Sequence, residues 1–309
     1  MTAVEAVKAA VQRLAFGSPT TFENLTLIHV IAPDERDPDY LTLDEGLAGG
    51  HVRITEVDEH ESVPELKIVN SGHAAVFLLD GEELLGARQN RVVNLSMLIP
   101  GHQTTVIPVS CVESGRWHHV SRQFVSVPRT QFAEGRAAKM RQVTRSMQAA
   151  GTRVSDQTAV WSLIAEKSAR LGAVSDTSAM SAMYERADRP IEEFVQAFPP
   201  IDRQVGALFA INGRPAGFEC FDTPGTWCKL SSKLLRSYAL DALDRRPHKK
   251  DDALAVDGTS CIANIVESEG TAFPATGEGE DVRLGGDKMA GAALVARGRV
   301  IHLSAFPQL

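Results

Sequence analysis

The chain has 309 residues, 43% of them hydrophobic and 23% charged, enough to bury one large core or two modest ones. Its formal net charge of -7 offers no general attraction for nucleic-acid phosphates or anionic membranes, so neither is an expected partner. No stretch reaches the roughly 18 apolar residues of a membrane helix, and the four cysteines (Cys111, Cys220, Cys228, Cys261) lack C-x-x-C spacing, so a soluble, cytoplasmic protein with reduced thiols is expected.

Val4, Val7, Val11 and Leu14 recur at helical spacing with Glu5, Lys8 and Arg13 between them, which predicts an amphipathic first helix rather than a signal peptide. LTLIHVIAP (Leu25 to Pro33) reads as a strand, because β-branched residues crowd a short apolar run that proline ends. Between Asp34 and Glu65 stand eleven acidic residues against Arg36 and Arg53, with the strand HVRITEV inside that acidic block. Such a run ordinarily faces water.

From Pro64 to Glu113 the pattern is β throughout: ELKIVN, AVFLLDGEELLGA, RVVNLSMLIP and TTVIPVSCVE. Asp80-Gly81 between apolar runs signals a tight hairpin, since type I′ turns need positive φ at both central residues. The expectation is an antiparallel meander, with Val93, Leu95, Met97 and Ile99 on one face of a single strand. Ser114 to Ser155 is basic, with eight Arg and Lys residues and one acid, Glu134. Its helix, with Ala133, Ala137, Met140 and Met147 on one face, carries either an anion site or charges turned to solvent or to the acidic block.

SDQTAVWSLIAEKSARLG (Ser155 to Gly172), TSAMSAMYER and IEEFVQAF extend a helical insertion from about Arg129 to Pro200. VGALFAINGRPAGFECF is a hairpin on Asn212-Gly213, and VARGRVIHLSAF repeats the idea on Arg297-Gly298. AVFLLDGEELLGA and VGALFAINGRPAGFECF share an apolar run, an Asp/Asn-Gly turn and a second glycine, and this recurrence raises the alternative of a duplicated sheet. Thr223 to Asp244 is a long helix: Pro224 sits at its first position, Trp227, Leu230, Leu234 and Tyr238 form its buried stripe, and Lys229, Lys233 and Arg236 form a basic stripe on another face. RPHKKDD reads as a charged turn, and Glu267 to Gly286 as a long Gly- and acid-rich loop. The fold class expected is α+β, mainly antiparallel sheet, in one domain over 1–309: β-rich over 1–128, helical over 129–200, α+β over 201–309.

No phosphate-loop, dinucleotide-binding, zincin or nucleophile-elbow motif is present, so a site must come from convergence of polar groups. GEELLGARQNR is the strongest candidate: Glu82 and Glu83 precede Arg88, Gln89, Asn90 and Arg91, with Asn94 beyond, on strands of which one face should be packed. Either these donors pair with Glu82 and Glu83 across the hairpin, or the strand end opens into a ligand-binding cleft. The next strand adds Cys111, Glu113, Arg116 and Trp117. Arg88, Arg91 and Arg116 suit phosphate, Trp117 suits stacking on a flat ring, and Glu82, Glu83 and Glu113 suit acid–base chemistry. Cys111 between valines reads as a small core residue before it reads as a nucleophile. His118 and His119 with Glu113 leave a metal-dependent hydrolase open.

GEELLGARQNR, IPVSCVESGRW and LLRSYALDAL resemble the ADP-ribosylglycohydrolase and rhodanese-phosphatase-superfamily-associated protein family over the whole chain. The positions that match its motifs are Glu82, Glu83, Gln89, Asn90, Arg91, Asn94, Glu113, Arg116, Trp117, Arg236 and Tyr238. The resemblance brings no catalytic residues with it, and it implies a connection with ADP-ribose or NAD-derived chemistry. The first expectation is therefore binding or processing of a phosphate-bearing nucleotide. The rival is a non-enzymatic interaction protein whose acidic and basic regions mediate partner binding or homo-oligomerisation. The sequence leaves any cofactor open.

Overall fold

The computed structural model describes residues 1–57, 64–116, 121–246 and 257–308. The chain forms two compact units. The first comprises Met1–Pro38, Arg189–Ala275 and Gly279–Leu309; the second comprises Asp39–Asp188 and Thr276–Glu278.

In chain order, the first unit opens with α1 (Ala3–Gln12), β1 (Ala15–Phe22) and β2 (Leu25–Ile31). The second unit follows with β3 (Tyr40–Thr42), α2 (Leu43–Ala48), β4 (Val52–Thr55), β5 (Glu65–Asn70), β6 (Ala75–Leu78) and β7 (Glu82–Leu85). It continues through β8 (Arg91–Val93), β9 (Met97–Ile99), β10 (Gln103–Cys111), β11 (Val125–Thr130), α3 (Ala133–Ala150), α4 (Gln157–Leu171) and α5 (Ser181–Arg186). The chain returns to the first unit within α6 (Asp188–Ala197), then adds β12 (Gln204–Ile211), β13 (Arg214–Phe221), α7 (Pro224–Asp244) and α8 (Gly258–Glu267). It ends with β14 (Glu269–Pro274), β15 (Glu280–Gly285), β16 (Met289–Ala296) and β17 (Arg299–Pro307). The class is α+β and the sheets are mostly antiparallel, as expected.

The first unit is built on an eight-stranded antiparallel sheet ordered β1-β2-β12-β13-β17-β16-β15-β14. Asn212 and Gly213 (φ 51° and 70°) turn β12 into β13, and Arg297 and Gly298 (φ 54° and 73°) turn β16 into β17, the left-handed pair that a two-residue hairpin requires. One sheet face packs Ile28, Val30, Leu208, Phe218, Val282 and Leu303 under Val7 and Val11 of α1 and Ile265 of α8. On α7, Thr223 caps the helix and Trp227, Leu230, Leu234 and Tyr238 are buried as expected. Tyr238 stacks on Phe209 of β12, with centroids 3.8 Å apart.

Two expectations are corrected in this unit, and one helix is added to it. Glu267 to Gly286 is a loop only at its tip; β14 and β15 pair antiparallel across it, with Val282 and Leu284 buried in the core. The acids and glycines mask the strand alternation. On the expected basic stripe, Lys233 is 3% exposed and Arg236 is ion-paired with Glu192, so the stripe is not a free cationic face. Helix α8 is not among the elements expected above; Asp257 caps it through the N–H groups of Thr259 and Ser260. Residues 247–252 of the expected charged turn lie outside the described residues.

The second unit holds a six-stranded sheet, β11-β7-β8-β10-β5-β4, and a three-stranded sheet, β3-β6-β9. No single meander forms. The Asp80-Gly81 hairpin is replaced by a crossing between sheets: β6 pairs with β3 in parallel and with β9, while β7 pairs with β8 and β11. Likewise RVVNLSMLIP is two strands in different sheets, broken at 94–96. At the breaks the backbone finds partners outside a hairpin ladder, one of them a side chain. Ser96 Oγ accepts from the Asp80 N–H (3.0 Å), and the Gly81 N–H donates to the Val93 carbonyl (2.9 Å).

Helix α3 clamps this corner. Ala133, Ala137, Met140 and Met147 are buried as expected, but Arg136 and Lys139 are buried as well, each 0% exposed. Lys139 Nζ donates to Asp80 Oδ1 at 2.7 Å and to the Val93 carbonyl, and Arg136 Nε lies 3.4 Å from Asp80 Oδ2. These two cations therefore face neither solvent nor the acidic block, because the strand-switch turn supplies a buried anion for them.

Candidate functional site

The polar residues of GEELLGARQNR and IPVSCVESGRW meet in the second unit, where the β7–β8 connection lies against the segment that follows β10. Glu113 is the hub. Its Oε2 accepts from Arg116 Nε (2.8 Å) and from the Asn90 N–H (3.2 Å), and its Oε1 accepts from Thr177 Oγ1 (2.7 Å). Burial pushes the Glu113 carboxyl up, but hydrogen bonds from Arg116, Thr177 and Asn90 together outweigh burial and hold it below the usual carboxylate range. Arg116 also donates to the Ala87 carbonyl and to Asn90 Oδ1, both at 2.8 Å. Gln89 Nε2 donates to the Glu113 carbonyl (2.9 Å).

Arg91 lies one step deeper. Its guanidinium donates to Gln89 Oε1 (2.9 Å) and to Cys111 Sγ (2.6 Å), and the thiol in turn donates to Gln89 Oε1 (2.9 Å). Burial pushes the Cys111 thiol up to about 11 despite Arg91, which is the behaviour of a packed cysteine and not of an activated nucleophile. The polar groups of this stretch do not pair across the hairpin: Arg91 bonds to Gln89 and Cys111, with its Nε left without a hydrogen-bond partner among the described residues, and Glu83 bonds to Arg129.

Glu82, Glu83 and Asn94 go elsewhere. Glu82 Oε2 accepts from the Leu79 N–H (2.9 Å), bracing the strand switch. Asn94 Oδ1 accepts from Ser110 Oγ (2.6 Å), and Asn94 Nδ2 donates to the Arg153 carbonyl (2.9 Å). Glu83 is 0% exposed and accepts a 2.5 Å bond from Arg129 Nε at Oε2, while its Oε1 has no hydrogen-bond partner among the described residues. Burial raises its carboxyl above the usual range, against the pull of Arg129, and Glu113 and Glu185 add to the rise. Arg88 is half-buried. Trp117, His118 and His119 lie outside the described residues. Among the described residues, no group of three or more His, Cys, Asp or Glu side chains is placed to hold a metal ion.

Several residues of this neighbourhood are not among those expected. Arg129, the partner of Glu83, lies 5.5 Å over the Tyr184 ring, and Tyr184 in turn donates to the Thr130 carbonyl. Thr177 reaches Glu113 from 64 positions away in sequence, and only the fold could bring it there. In the first unit, Glu219 accepts from Tyr238 Oη (2.9 Å) and faces His302 Nε2 (3.2 Å), all three buried. One acid in GFECF and one histidine in VIHLSAF, each alone in an apolar strand, were the legible signals. A Cβ on Gly217 would fall 2.1 Å from Tyr238 Oη, so glycine is needed there. Two cavities of about 620 and 560 Å³ lie on the first unit, lined respectively by residues such as Leu208, Phe218 and Cys261, and Glu267, Asp287 and Lys288. None of the expected site residues lines either one.

Comparison with known proteins adds one finding. The family model described as ARG and Rhodanese-Phosphatase-superfamily-associated Protein domain matches residues 13–306. No curated protein and no solved structure matches.

Proposed function

The chain belongs to this ARG and Rhodanese-Phosphatase-superfamily-associated Protein family, and we propose that it binds or processes a phosphate-bearing nucleotide such as an ADP-ribose or NAD derivative. The reading takes "ARG" as ADP-ribosylglycohydrolase, which supplies the ligand class by analogy. Glu83 carries it: a fully buried carboxylate, one oxygen on Arg129 and the other without a hydrogen-bond partner among the described residues, held toward its protonated form. Carboxylates tuned upward by burial beside a fixed cation are the form that general acids take near neutral pH. Arg129 and the half-buried Arg88 would meet phosphate, and Arg91 and Arg116, bonded to Gln89, Cys111, Glu113, Ala87 and Asn90, would hold the loop in shape.

A thermal-shift screen of the purified protein against NAD, ADP-ribose, ADP and ATP tests this. A ligand at 100 times its dissociation constant stabilises the native state by about 2.7 kcal/mol. One nucleotide should raise the melting temperature, Arg129→Ala should abolish the rise, and Glu83→Gln should keep binding while losing turnover. A flat panel, or a shift indifferent to Arg129→Ala, overturns the proposal.

A second reading, an interaction or self-assembling protein, draws on β14, an edge strand exposed along most of its length. Gel filtration across a protein-concentration and salt series separates the two: concentration-dependent association without any nucleotide shift favours assembly.

A further inference from the structure

Two turns of the second unit carry the sheet switch side by side. One, between β5 and β6, contains Gly72 and His73; the other, between β9 and β10, contains Gly101 and His102. The strands that enter and leave them are paired, β5 with β10 in the larger sheet and β6 with β9 in the smaller. Both turns are therefore anchored at both ends.

Asn70 staples them together. Only 1% exposed, it donates through Nδ2 to the carbonyls of Ala74 (2.9 Å), Ile99 (3.3 Å) and Pro100 (3.0 Å), and its Oδ1 accepts from the Gly72 N–H (3.1 Å). The His102 N–H donates to the Gly72 carbonyl at 3.0 Å. The turns approach so closely that a Cβ on Gly101 would lie 2.2 Å from the His73 carbonyl oxygen. His102 takes a left-handed backbone, φ 55°, a conformation that non-glycine residues hold only when their surroundings fix it.

On this rigid base two exposed imidazoles face each other. His102 Nε2 and His73 Nδ1 are 2.8 Å apart, with ring centroids 4.4 Å apart and planes at 87°. At that separation one proton lies between two ring nitrogens, so one imidazole presents its lone pair toward the other's N–H. A metal ion can take the place of that proton. Two imidazole nitrogens on one tetrahedral ion, each at about 2.05 Å, sit roughly 3.3 Å apart, so the nitrogens need to part by about 0.5 Å and the rings to turn until both lone pairs meet at the ion. Exposed side chains on a fixed backbone can make that adjustment by small χ rotations.

We propose that His73 and His102 form a binding site for a divalent transition-metal ion of the zinc, copper or nickel class, coordinated by His73 Nδ1 and His102 Nε2 and completed by water. Imidazole nitrogen selects these ions over magnesium and calcium, which prefer oxygen donors. Asn70 acts as the positioning residue, since it sets the spacing of the two turns without reaching the ion.

Isothermal titration of the tag-free, full-length protein with zinc, nickel and magnesium chlorides tests the site. Zinc or nickel should bind with a component that His73→Gln or His102→Asn each weakens at least about tenfold and that the double variant loses. Asparagine tolerates the left-handed backbone, so His102→Asn keeps the turn. Copper(II) should broaden the amide resonances of residues 71–74 and 101–103 ahead of all others, a local readout that a misfolded variant could not mimic. Magnesium should give no heat. Zinc and nickel heats unchanged in the double variant, or copper broadening confined to other residues, overturn the proposal.

Discussion

Glu83 and Glu113 are two carboxylates of the second unit whose surroundings drive them in opposite directions. Glu83 has its folded pKa raised, so its contribution to stability is present below the ordinary glutamate value, about 4.3, and is lost as pH rises through the folded value. Glu113 has its folded pKa lowered; its contribution is present above the ordinary value and is lost as pH falls through the folded one. Glu83→Gln should accordingly gain stability relative to the parent as pH rises above about 4.3, read as the difference in urea-unfolding free energy across a pH series. A difference flat in pH would show that Glu83 titrates as an ordinary carboxylate. At this scale the candidate residues were legible as a cluster of types, but their partners were not. Arg129 and Thr177 are remote in sequence, and one hydrogen-bonding group gives no local sign of which other will meet it.

Elements were legible where the signal is local. ELKIVN, the Asn212-Gly213 and Arg297-Gly298 hairpins, and the Pro224-started helix all form as expected, because periodicity, positive φ and capping act within a few residues. The Asp80-Gly81 turn carries the same local signal and yet switches sheets, held by Ser96, Val93 and α3. Lys139→Ala should therefore cost about 3–5 kcal/mol, since it leaves Asp80 buried beside a void. Asp80→Asn combined with Lys139→Met and Arg136→Met should cost less than the Lys139→Ala change alone, because no uncompensated charge of either sign remains at Asp80. Chemical denaturation of the variants measures both; a triple variant as unstable as Lys139→Ala would mean that packing volume, and not charge, holds the corner.

The whole molecule divides into a first unit assembled from three chain segments and a second made almost wholly of residues 39–188. The fragment 39–188 should unfold cooperatively in urea by itself, lacking only Thr276–Glu278, whose Glu278 N–H donates to the Leu98 carbonyl (2.8 Å). A broad, non-cooperative transition would show that those three residues complete its fold. In the first unit, β2 pairs with β12 across the entire second unit in sequence, a non-local contact that predicts slow refolding of the full chain. The sequence by itself determined the α+β class, the position of most strands and helices, and the pairing of the strands joined by the Asn212-Gly213 and Arg297-Gly298 turns. Only the tertiary structure decided which strands share a sheet, that Arg136 and Lys139 turn inward, and that Glu83 answers to Arg129. The physical reason is that periodicity and turn chemistry are set by neighbours in the chain, whereas backbone edges and buried charges accept any suitable partner that packing brings near.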